Sequence, residues 1–179
     1  MKLVILDRDG VINRDSDNYI RSADEWIELP GSAAAIAKLN HAGYTVAVAT
    51  NQSGLGRNYF DLATLEQMHQ KMHDALEREG GQIDYIAFCP HQPEDNCTCR
   101  KPLAGMLERI LKHYPNTQQP VWMVGDSLRD LESAWAIDMP AALVRTGKGQ
   151  RSLDQGKIPT DTPVFDDLAA FVDWLLTEQ

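Results

Sequence analysis

The chain has 179 residues, of which 43% are hydrophobic and 24% charged, a composition typical of a folded protein rather than a disordered one. Its 26 acidic and 17 basic side chains give a net charge of −9, which argues against nucleic-acid binding as the main function because nucleic-acid binders usually carry a basic surface. The length suits one domain, so we expect residues 1–179 to form a single unit.

The sequence carries no sign of a membrane or secretory destination. No apolar run is long enough to cross a bilayer, and the apolar start ends at Asp7, too early for a signal-peptide core. We therefore expect a cytoplasmic protein with no membrane partner, and a monomer because no oligomer signal is present. In that compartment thiols stay reduced, which favours a metal site over a disulfide for the three cysteines.

Apolar runs and helix signals alternate along the chain. Strands are predicted over 3–6, 44–49, 83–88, 121–124 and 141–144, and helices over 32–39, 62–79, 102–113, 128–136 and 166–176. Residues 146–163 carry Gly and Pro and are predicted to be irregular. This alternation predicts an α/β fold, a doubly wound, mainly parallel, Rossmann-like sheet with helices on both faces.

Polar residues directly follow three of the predicted strands. The three segments are Asp7-Arg8-Asp9-Gly10, Thr50-Asn51-Gln52-Ser53-Gly54 and Gly125-Asp126-Ser127. Ligands of open parallel sheets bind beyond the carboxyl ends of the strands, so we expect these segments to meet on one rim.

The carboxylates on this rim suit metal binding and catalysis. Asp7 and Asp9, spaced i and i+2, point the same way as they leave the strand, and Arg8 points elsewhere. Asp126 is placed to bind Mg²⁺ together with Asp7, because this ion prefers oxygen ligands. The alternative is a pair of turn or helix-capping aspartates. Asp130 is interpreted as part of a capping box.

Groups that could hold an anion lie near the carboxylates. Thr50 offers a hydroxyl and residues 51–54 offer backbone N–H groups, although a polar turn would read the same way. Arg100 and Lys101 lie at a predicted helix start, where the macrodipole disfavours a cation and attracts phosphate. The alternative for this pair is two exposed basic side chains.

A cluster of cysteines and one histidine interrupts the regular elements. The candidate ligands are Cys89, His91, Cys97 and Cys99. Three thiolates and an imidazole form a closed tetrahedral set for structural Zn²⁺, and the alternative is free thiols beside an incidental histidine. We predict a zinc-binding loop at 89–101 that fixes Lys101 beside the rim. His69 and His73 are interpreted as part of a solvated helix face.

Taken together, these residues resemble the haloacid-dehalogenase-type phosphatases. The four motifs of that family match Asp7-x-Asp9, Thr50, Lys101 and Gly125-Asp126. The resemblance implies that Asp7 attacks phosphorus and forms an aspartyl phosphate, and that Asp9 is the general acid and base. It also implies that Thr50 and Lys101 hold the phosphoryl oxygens, and that Asp7, the backbone carbonyl of Asp9 and Asp126 bind Mg²⁺.

The zinc-loop run Cys-Pro-His…Cys-x-Cys-Arg-Lys-Pro resembles two groups within this family. One group removes the C7 phosphate of a heptose 1,7-bisphosphate for lipopolysaccharide core synthesis, and the other hydrolyses histidinol phosphate. Ser53 and the later run 143–148 favour the heptose group and thus a small phosphorylated sugar as substrate. The resemblance further implies that no large cap domain covers the site. The implied substrate-binding residues are Asp15, Asp17, Asn18, Tyr19, Asn51, Gln52, Ser53 and Arg100.

Two alternatives and one hypothesis remain from the sequence. A non-catalytic, zinc-stabilised binding module could keep the same fold, and a nucleic-acid 3′-phosphatase suits the motifs but not the net charge. Arg145, Lys148 and Arg151 follow the fifth strand on the same rim. We hypothesise that they contact the phosphate that is not cleaved, the alternative being a solvated loop.

Overall fold

A computed structural model describes residues 1–178, which form a six-stranded parallel sheet with helices on both faces. The strands are β1 (Lys2–Leu6), β2 (Tyr44–Asn51), β3 (Tyr85–Cys89), β4 (Trp122–Gly125), β5 (Ala141–Val144) and β6 (Val164–Phe165). The helices are α1 (Ser32–His41), α2 (Ser53–Gly56), α3 (Leu62–Arg78), α4 (Gly105–His113), α5 (Leu128–Trp135), α6 (Gly149–Asp154) and α7 (Leu168–Thr177). None of the helices within this range has the length and apolar character needed to cross a bilayer.

The sheet has the strand order β3-β2-β1-β4-β5-β6, with β1 between β2 and β4. Alternate residues of β1 enter opposite layers of the core: Val4 and Leu6 pack with α1, α3 and α7, and Leu3 and Ile5 pack with α4 and α5. A strand that is buried on both faces has to be apolar throughout, which explains its uninterrupted run. The predicted α/β fold class is confirmed.

The register of the sheet decides where the polar segments emerge. Leu6 is paired with Val48 of β2 and Val124 of β4. Asp7 therefore leaves the sheet at the same edge as Thr50 and Asp126. In the described part of the chain, this edge is covered by loops and short helices rather than by a cap domain.

Two details of the predicted elements are wrong, and one strand was not predicted. Helix α4 begins at Gly105 rather than Pro102, because the preceding loop folds back and the Gly105 N–H donates to the Thr98 carbonyl at 3.0 Å. The stretch predicted as irregular contains α6, which is too short to show helical periodicity. The short strand β6 follows it and pairs with β5.

Candidate active site

Lys101 lies at the centre of the rim and is only 2% exposed. Its ammonium is 2.9 Å from Oδ1 of Asp7 and 2.6 Å from Oδ1 of Asp130, and it donates to the Ala49 carbonyl at 2.8 Å. All three donors of a lysine are thus used by fixed acceptors. The anion that the sequence indicated beside Lys101 is supplied, in this structure, by two carboxylates of the protein itself.

Burial strongly perturbs the charges around Lys101. Desolvation, followed by the nearby charge of Asp130, raises the pKa of Asp7 to about 7, although Lys101 opposes this effect. Burial alone would lower the pKa of Lys101, but the charges of Asp130 and Asp7 outweigh it and raise that pKa. Lys101 therefore stays a cation. For Asp7, the positive charge of Lys101 does not fully offset burial and the neighbouring carboxylates, so its protonated form is favoured up to about pH 7.

Asp126 completes a cluster of three carboxylates. One oxygen each of Asp7, Asp126 and Asp130 lies within 4.8 Å of the others. Burial and then the charges of Asp130 and Asp7 raise the pKa of Asp126. Carboxylates this close together repel one another unless a cation lies between them. Because all the ligand atoms are oxygens, Mg²⁺ is the cation that suits this cluster.

Backbone segments on either side crowd the carboxylate of Asp126. A Cβ atom on Gly10 would lie 2.0 Å from its Oδ2, and one on Gly147 would lie 2.2 Å away. Both glycines have positive φ angles, +86° and +57°, which other residues rarely adopt. The backbone N–H of Lys148 donates to the same Oδ2 at 2.9 Å, so Asp126 is tightly oriented.

Asp9 is held by several donors. Arg8 donates to Oδ1 from Nε at 2.9 Å and from Nη2 at 2.8 Å, and Asn13 donates to the same oxygen at 2.9 Å. The amide of Gln52 donates to Oδ2 at 3.2 Å and to the hydroxyl of Thr50 at 2.9 Å. Burial would raise the pKa of Asp9, but Arg8 and these hydrogen bonds outweigh burial and lower it.

A cavity of about 220 Å³ opens between these groups. Its wall comprises Asp7, Asp9, Asp15, Ser16, Asp17, Tyr19, Ile20, Asn51, Gln52, Ser53, Arg100, Lys101, Asp126, Ser127, Arg129, Asp130 and Lys148. Most of the predicted site residues are therefore brought together. Thr50 is buried directly behind this wall and reaches it through Gln52. Asn18 is exposed and lies outside the wall.

Asn51 connects the end of β2 to the loop that carries Lys101. Its Oδ1 accepts from the Lys101 N–H at 3.0 Å, and its Nδ2 donates to the Lys101 carbonyl at 3.2 Å. A side chain predicted to bind substrate thus also fixes the backbone of a buried cation. This double contact explains how Lys101 is positioned although no helix begins beside it.

The cysteine and histidine side chains of the loop at 89–101 converge. The Sγ atoms of Cys89 and Cys97 are 3.8 Å apart, and Nδ1 of His91 is 3.5 Å from Cys89 and 3.3 Å from Cys99. Ligand atoms about 2.3 Å from a tetrahedral zinc ion lie about 3.8 Å from one another, and these three separations are close to that spacing. The distance between the Sγ atoms of Cys89 and Cys99, 2.9 Å, is shorter than the zinc geometry requires. The donor set is the one predicted.

The basic residues after β5 do not form a free anion site. Arg145 pairs with Asp166 at 3.2 Å on the exposed surface, and Arg151 pairs with Asp17 at 3.1 Å. Lys148 lines the cavity, but its ammonium is 3.3 Å from Asp15. The hypothesis that Arg145 contacts substrate is not supported, because Arg145 does not line the cavity and its guanidinium is already paired with Asp166.

Four contributors to the site were missed or misread in the sequence. Asp130 forms the predicted capping box but also binds Lys101, and Arg8 is buried against Asp9 instead of pointing elsewhere. Arg129 lines the cavity, and His69 is half-buried and contacts Arg8. For Arg8, a charged residue between two site aspartates was an available signal. The other three depend on packing between distant segments.

The fold and the rim chemistry define a phosphatase of the HAD-like class. The HAD-hydrolase-like family pattern matches residues 98–171. D-glycero-β-D-manno-heptose-1,7-bisphosphate 7-phosphatase from Pseudomonas putida is 55% identical over 170 residues, which cover 95% of this chain and 97% of that protein. The enzyme of the same name from Pseudomonas aeruginosa is 54% identical, covering 97% of both chains.

A solved structure agrees closely with this one. The crystal structure of D,D-heptose 1,7-bisphosphate phosphatase from B. bronchiseptica, complexed with magnesium and phosphate, has 54% identity, a TM-score of 0.96 and full coverage of both chains. The corresponding enzyme from Burkholderia thailandensis has 45% identity and a TM-score of 0.77, covering 99% of both chains. The chain belongs to the D-glycero-β-D-manno-heptose-1,7-bisphosphate 7-phosphatase family.

Proposed function

We propose that this enzyme is a Mg²⁺-dependent phosphatase that removes the C7 phosphate of D-glycero-D-manno-heptose 1,7-bisphosphate in lipopolysaccharide core synthesis. The observation that carries the proposal is the convergence of Asp7, Asp9, Lys101 and Asp126 on one cavity, with Thr50 linked to it through Gln52. Relatives that are 54–55% identical over nearly the whole chain bear that activity in their names.

The proposed reaction has two steps, both centred on Asp7. A carboxylate oxygen of Asp7 attacks phosphorus, the bond to the sugar oxygen breaks, and an aspartyl phosphate forms. Water then attacks this phosphorus and releases inorganic phosphate. Asp7, the carbonyl of Asp9 and Asp126 would hold Mg²⁺, whose chemistry there is to neutralise phosphoryl charge and keep Asp7 ionised. Thr50 and Lys101 would hold phosphoryl oxygens, and Lys101 would do so with the donor that faces Asp7 in the free enzyme.

Asp9 would move the protons in both steps. Its carboxyl protonates the departing sugar alkoxide, and the resulting carboxylate accepts a proton from the attacking water. Donors from Arg8, Asn13 and Gln52 surround the carboxylate. They stabilise the ionised form, which makes the protonated form a strong proton donor to the leaving oxygen.

We also propose a structural Zn²⁺ bound by the four side chains of the loop at 89–101. A closed set of ligands leaves no position for substrate on the metal. Arg100 follows the last cysteine directly, and its Nη1 donates to the His91 carbonyl at 3.2 Å. The metal would therefore fix the basic end of the loop against the cavity.

The uncleaved phosphate of a bisphosphate needs its own partner, for which we propose Arg100 and Arg129. Both line the catalytic cavity and an adjoining cavity of about 460 Å³. Burial, followed by the charge of Arg129, lowers the pKa of Arg100, so the two cations repel each other in the absence of an anion. Within residues 1–178, Arg129 forms no ion pair, in contrast to Arg145.

We further propose that residues 1–179 act as one catalytic domain, as a cytoplasmic monomer without nucleic-acid or membrane partners. The net charge of −9 supports the absence of a nucleic-acid partner. Light scattering of the active enzyme tests the monomer.

The experiment that tests the function measures phosphate release from D-glycero-D-manno-heptose 1,7-bisphosphate and from histidinol phosphate, with and without Mg²⁺. We expect Mg²⁺-dependent release and a much higher kcat/KM for the heptose bisphosphate. A higher kcat/KM for histidinol phosphate would show that the enzyme is a histidinol-phosphate phosphatase instead. No release from either compound would favour a non-catalytic zinc-stabilised module.

A further inference from the structure

Arg8 is a fully buried cation next to the proposed nucleophile, with 0% of its surface exposed. Its Nε and Nη2 both donate to Oδ1 of Asp9. The guanidinium is planar and its donors have fixed directions, so its orientation determines where the carboxylate of Asp9 lies. This geometry uses one edge of the guanidinium and leaves Nη1 pointing away from Asp9, towards α3.

The remaining nitrogen of Arg8 is held by α3. Nη1 is 3.2 Å from Nε2 of His69 and 3.8 Å from the sulfur of Met68. A guanidinium has donors only, so Nε2 must carry the lone pair and the proton of the ring must lie on Nδ1. A methionine sulfur is a weak acceptor, which leaves His69 as the strong partner of Nη1. A buried donor that loses such a partner is costly.

We propose that His69 is a positioning residue of the phosphatase reaction, because it accepts a hydrogen bond from Nη1 of Arg8 and so fixes the guanidinium that orients Asp9. The inference rests on the proposed function, because His69 would affect catalysis only through the proton transfers proposed for Asp9. Burial and the charge of Arg8 lower the pKa of His69 to about 3, which agrees with a neutral acceptor.

The test exploits the chemistry of the leaving group. The sugar alkoxide of heptose 1,7-bisphosphate needs a proton when it departs, whereas p-nitrophenolate departs without one. The ratio kcat/KM covers only the steps up to departure of the leaving group, so it excludes the later attack of water. In His69→Leu, we expect kcat/KM to fall about 10- to 100-fold for the heptose bisphosphate and less than about 3-fold for p-nitrophenyl phosphate.

Two further variants define the cause. His69→Gln retains an acceptor oxygen and is expected to recover most of the lost kcat/KM. His73→Leu removes a histidine one turn further along α3 and is expected to match the wild type on both substrates. His69→Met is assayed in parallel as a second variant without a strong acceptor, so that a folding failure of His69→Leu leaves the measurement possible.

The comparison between substrates is insensitive to the fraction of folded enzyme, because that fraction cancels in the ratio of the two kcat/KM values. An unchanged ratio in His69→Leu or His69→Met, or no recovery in His69→Gln, overturns this inference while the proposed function stands. A wild-type chain that does not hydrolyse heptose 1,7-bisphosphate overturns the proposed function, and the inference with it.

Discussion

Lys101 and Asp130 form a buried ion pair that was not recognisable from local sequence. Besides Lys101, Asp130 accepts from the backbone N–H groups of Asp126 and Ser127 at 3.0 and 3.1 Å. One carboxylate thus couples the zinc-loop side of the rim to the end of β4. Removal of Asp130 would leave one donor of the buried Lys101 ammonium and the N–H groups of Asp126 and Ser127 without their acceptor, which is strongly destabilising.

We therefore expect Asp130→Ala to lower the free energy of unfolding by about 3–5 kcal/mol. Glu132→Ala is the matched control, because it removes the same charge from an exposed position of α5 and should change stability by less than about 0.5 kcal/mol. Urea denaturation measures both values. Equal losses in the two variants would contradict a structural role for the pair.

The raised pKa of Asp7 predicts how the stability of the protein depends on pH. Its pKa in the folded protein, about 7, lies above its ordinary value of 3.8, so between these values the folded state binds more protons than the unfolded state. The carboxyl thus reduces stability as pH rises from about 4 to 7 when Mg²⁺ is absent. Asp7→Asn should be inactive, because an amide does not attack phosphorus, yet melt at a higher temperature than the wild type at pH 7.5 without added Mg²⁺.

The melting temperatures of the wild type and Asp7→Asn should approach each other as pH falls towards 4, because Asp7 is already protonated in the folded state and becomes progressively protonated in the unfolded state as pH nears its ordinary pKa of 3.8. Thermal unfolding of both proteins across this range checks the sign. Parallel curves with a constant separation would show that Asp7 does not carry the raised pKa.

At the scale of an element, the loop at 89–101 depends on its proposed metal. It has one 3₁₀ turn, Pro93–Asp95, and little apolar side-chain burial apart from its cysteines. We expect one bound zinc per chain, and Cys97→Ser should lose the metal and lower the melting temperature by several degrees, because metal binding contributes directly to folding. Thr98→Ser, at the exposed position between two ligands, is the control. Zinc loss without a change in melting temperature would refute a structural role.

Helix α5 presents Arg129 in its first turn, where the macrodipole disfavours a cation. This unfavourable position becomes favourable when a phosphate binds beside it. We expect Arg129→Ala to raise KM about 10-fold for heptose 1,7-bisphosphate, the equivalent of one charge-assisted contact, and to leave KM for heptose 7-phosphate unchanged. Arg145→Ala, which removes a charge outside the cavity, should leave both values unchanged. Equal effects of Arg129→Ala on both substrates would exclude a distal phosphate contact.

At the scale of the molecule, ligands should stabilise the fold by joining its separate segments. Asp7 and Asp126 directly follow β1 and β4, and their mutual repulsion is part of the cost of folding without a cation. A cation present at 100 times its dissociation constant adds about 2.7 kcal/mol to the free energy of unfolding. Mg²⁺ should therefore raise the melting temperature of the wild type and have a much smaller effect on Asp126→Ala. An equal rise in both proteins would place the ion elsewhere.

The sequence alone was sufficient for the features that depend on neighbouring residues. The apolar run of β1 and its abrupt end at Asp7 follow from burial on both faces of a parallel sheet. Asp61 directly precedes the helix predicted over 62–79 and is a residue type that caps helices, and its carboxylate accepts from the Thr64 N–H at 2.8 Å. The meeting of three strand ends on one rim also followed, because parallel strands share the direction in which they end.

Only the tertiary structure decided which charges compensate one another. Asp130 reads locally as a cap and Arg8 as a residue that points away from the two aspartates, yet packing places Asp130 against Lys101 and Arg8 between Asp9 and His69. The start of α4 at Gly105 likewise depends on a hydrogen bond to Thr98 in the folded-back loop. Such contacts join residues that are distant or differently oriented along the chain, so they arise from the register of the sheet and the packing of helices on it, which no local pattern encodes.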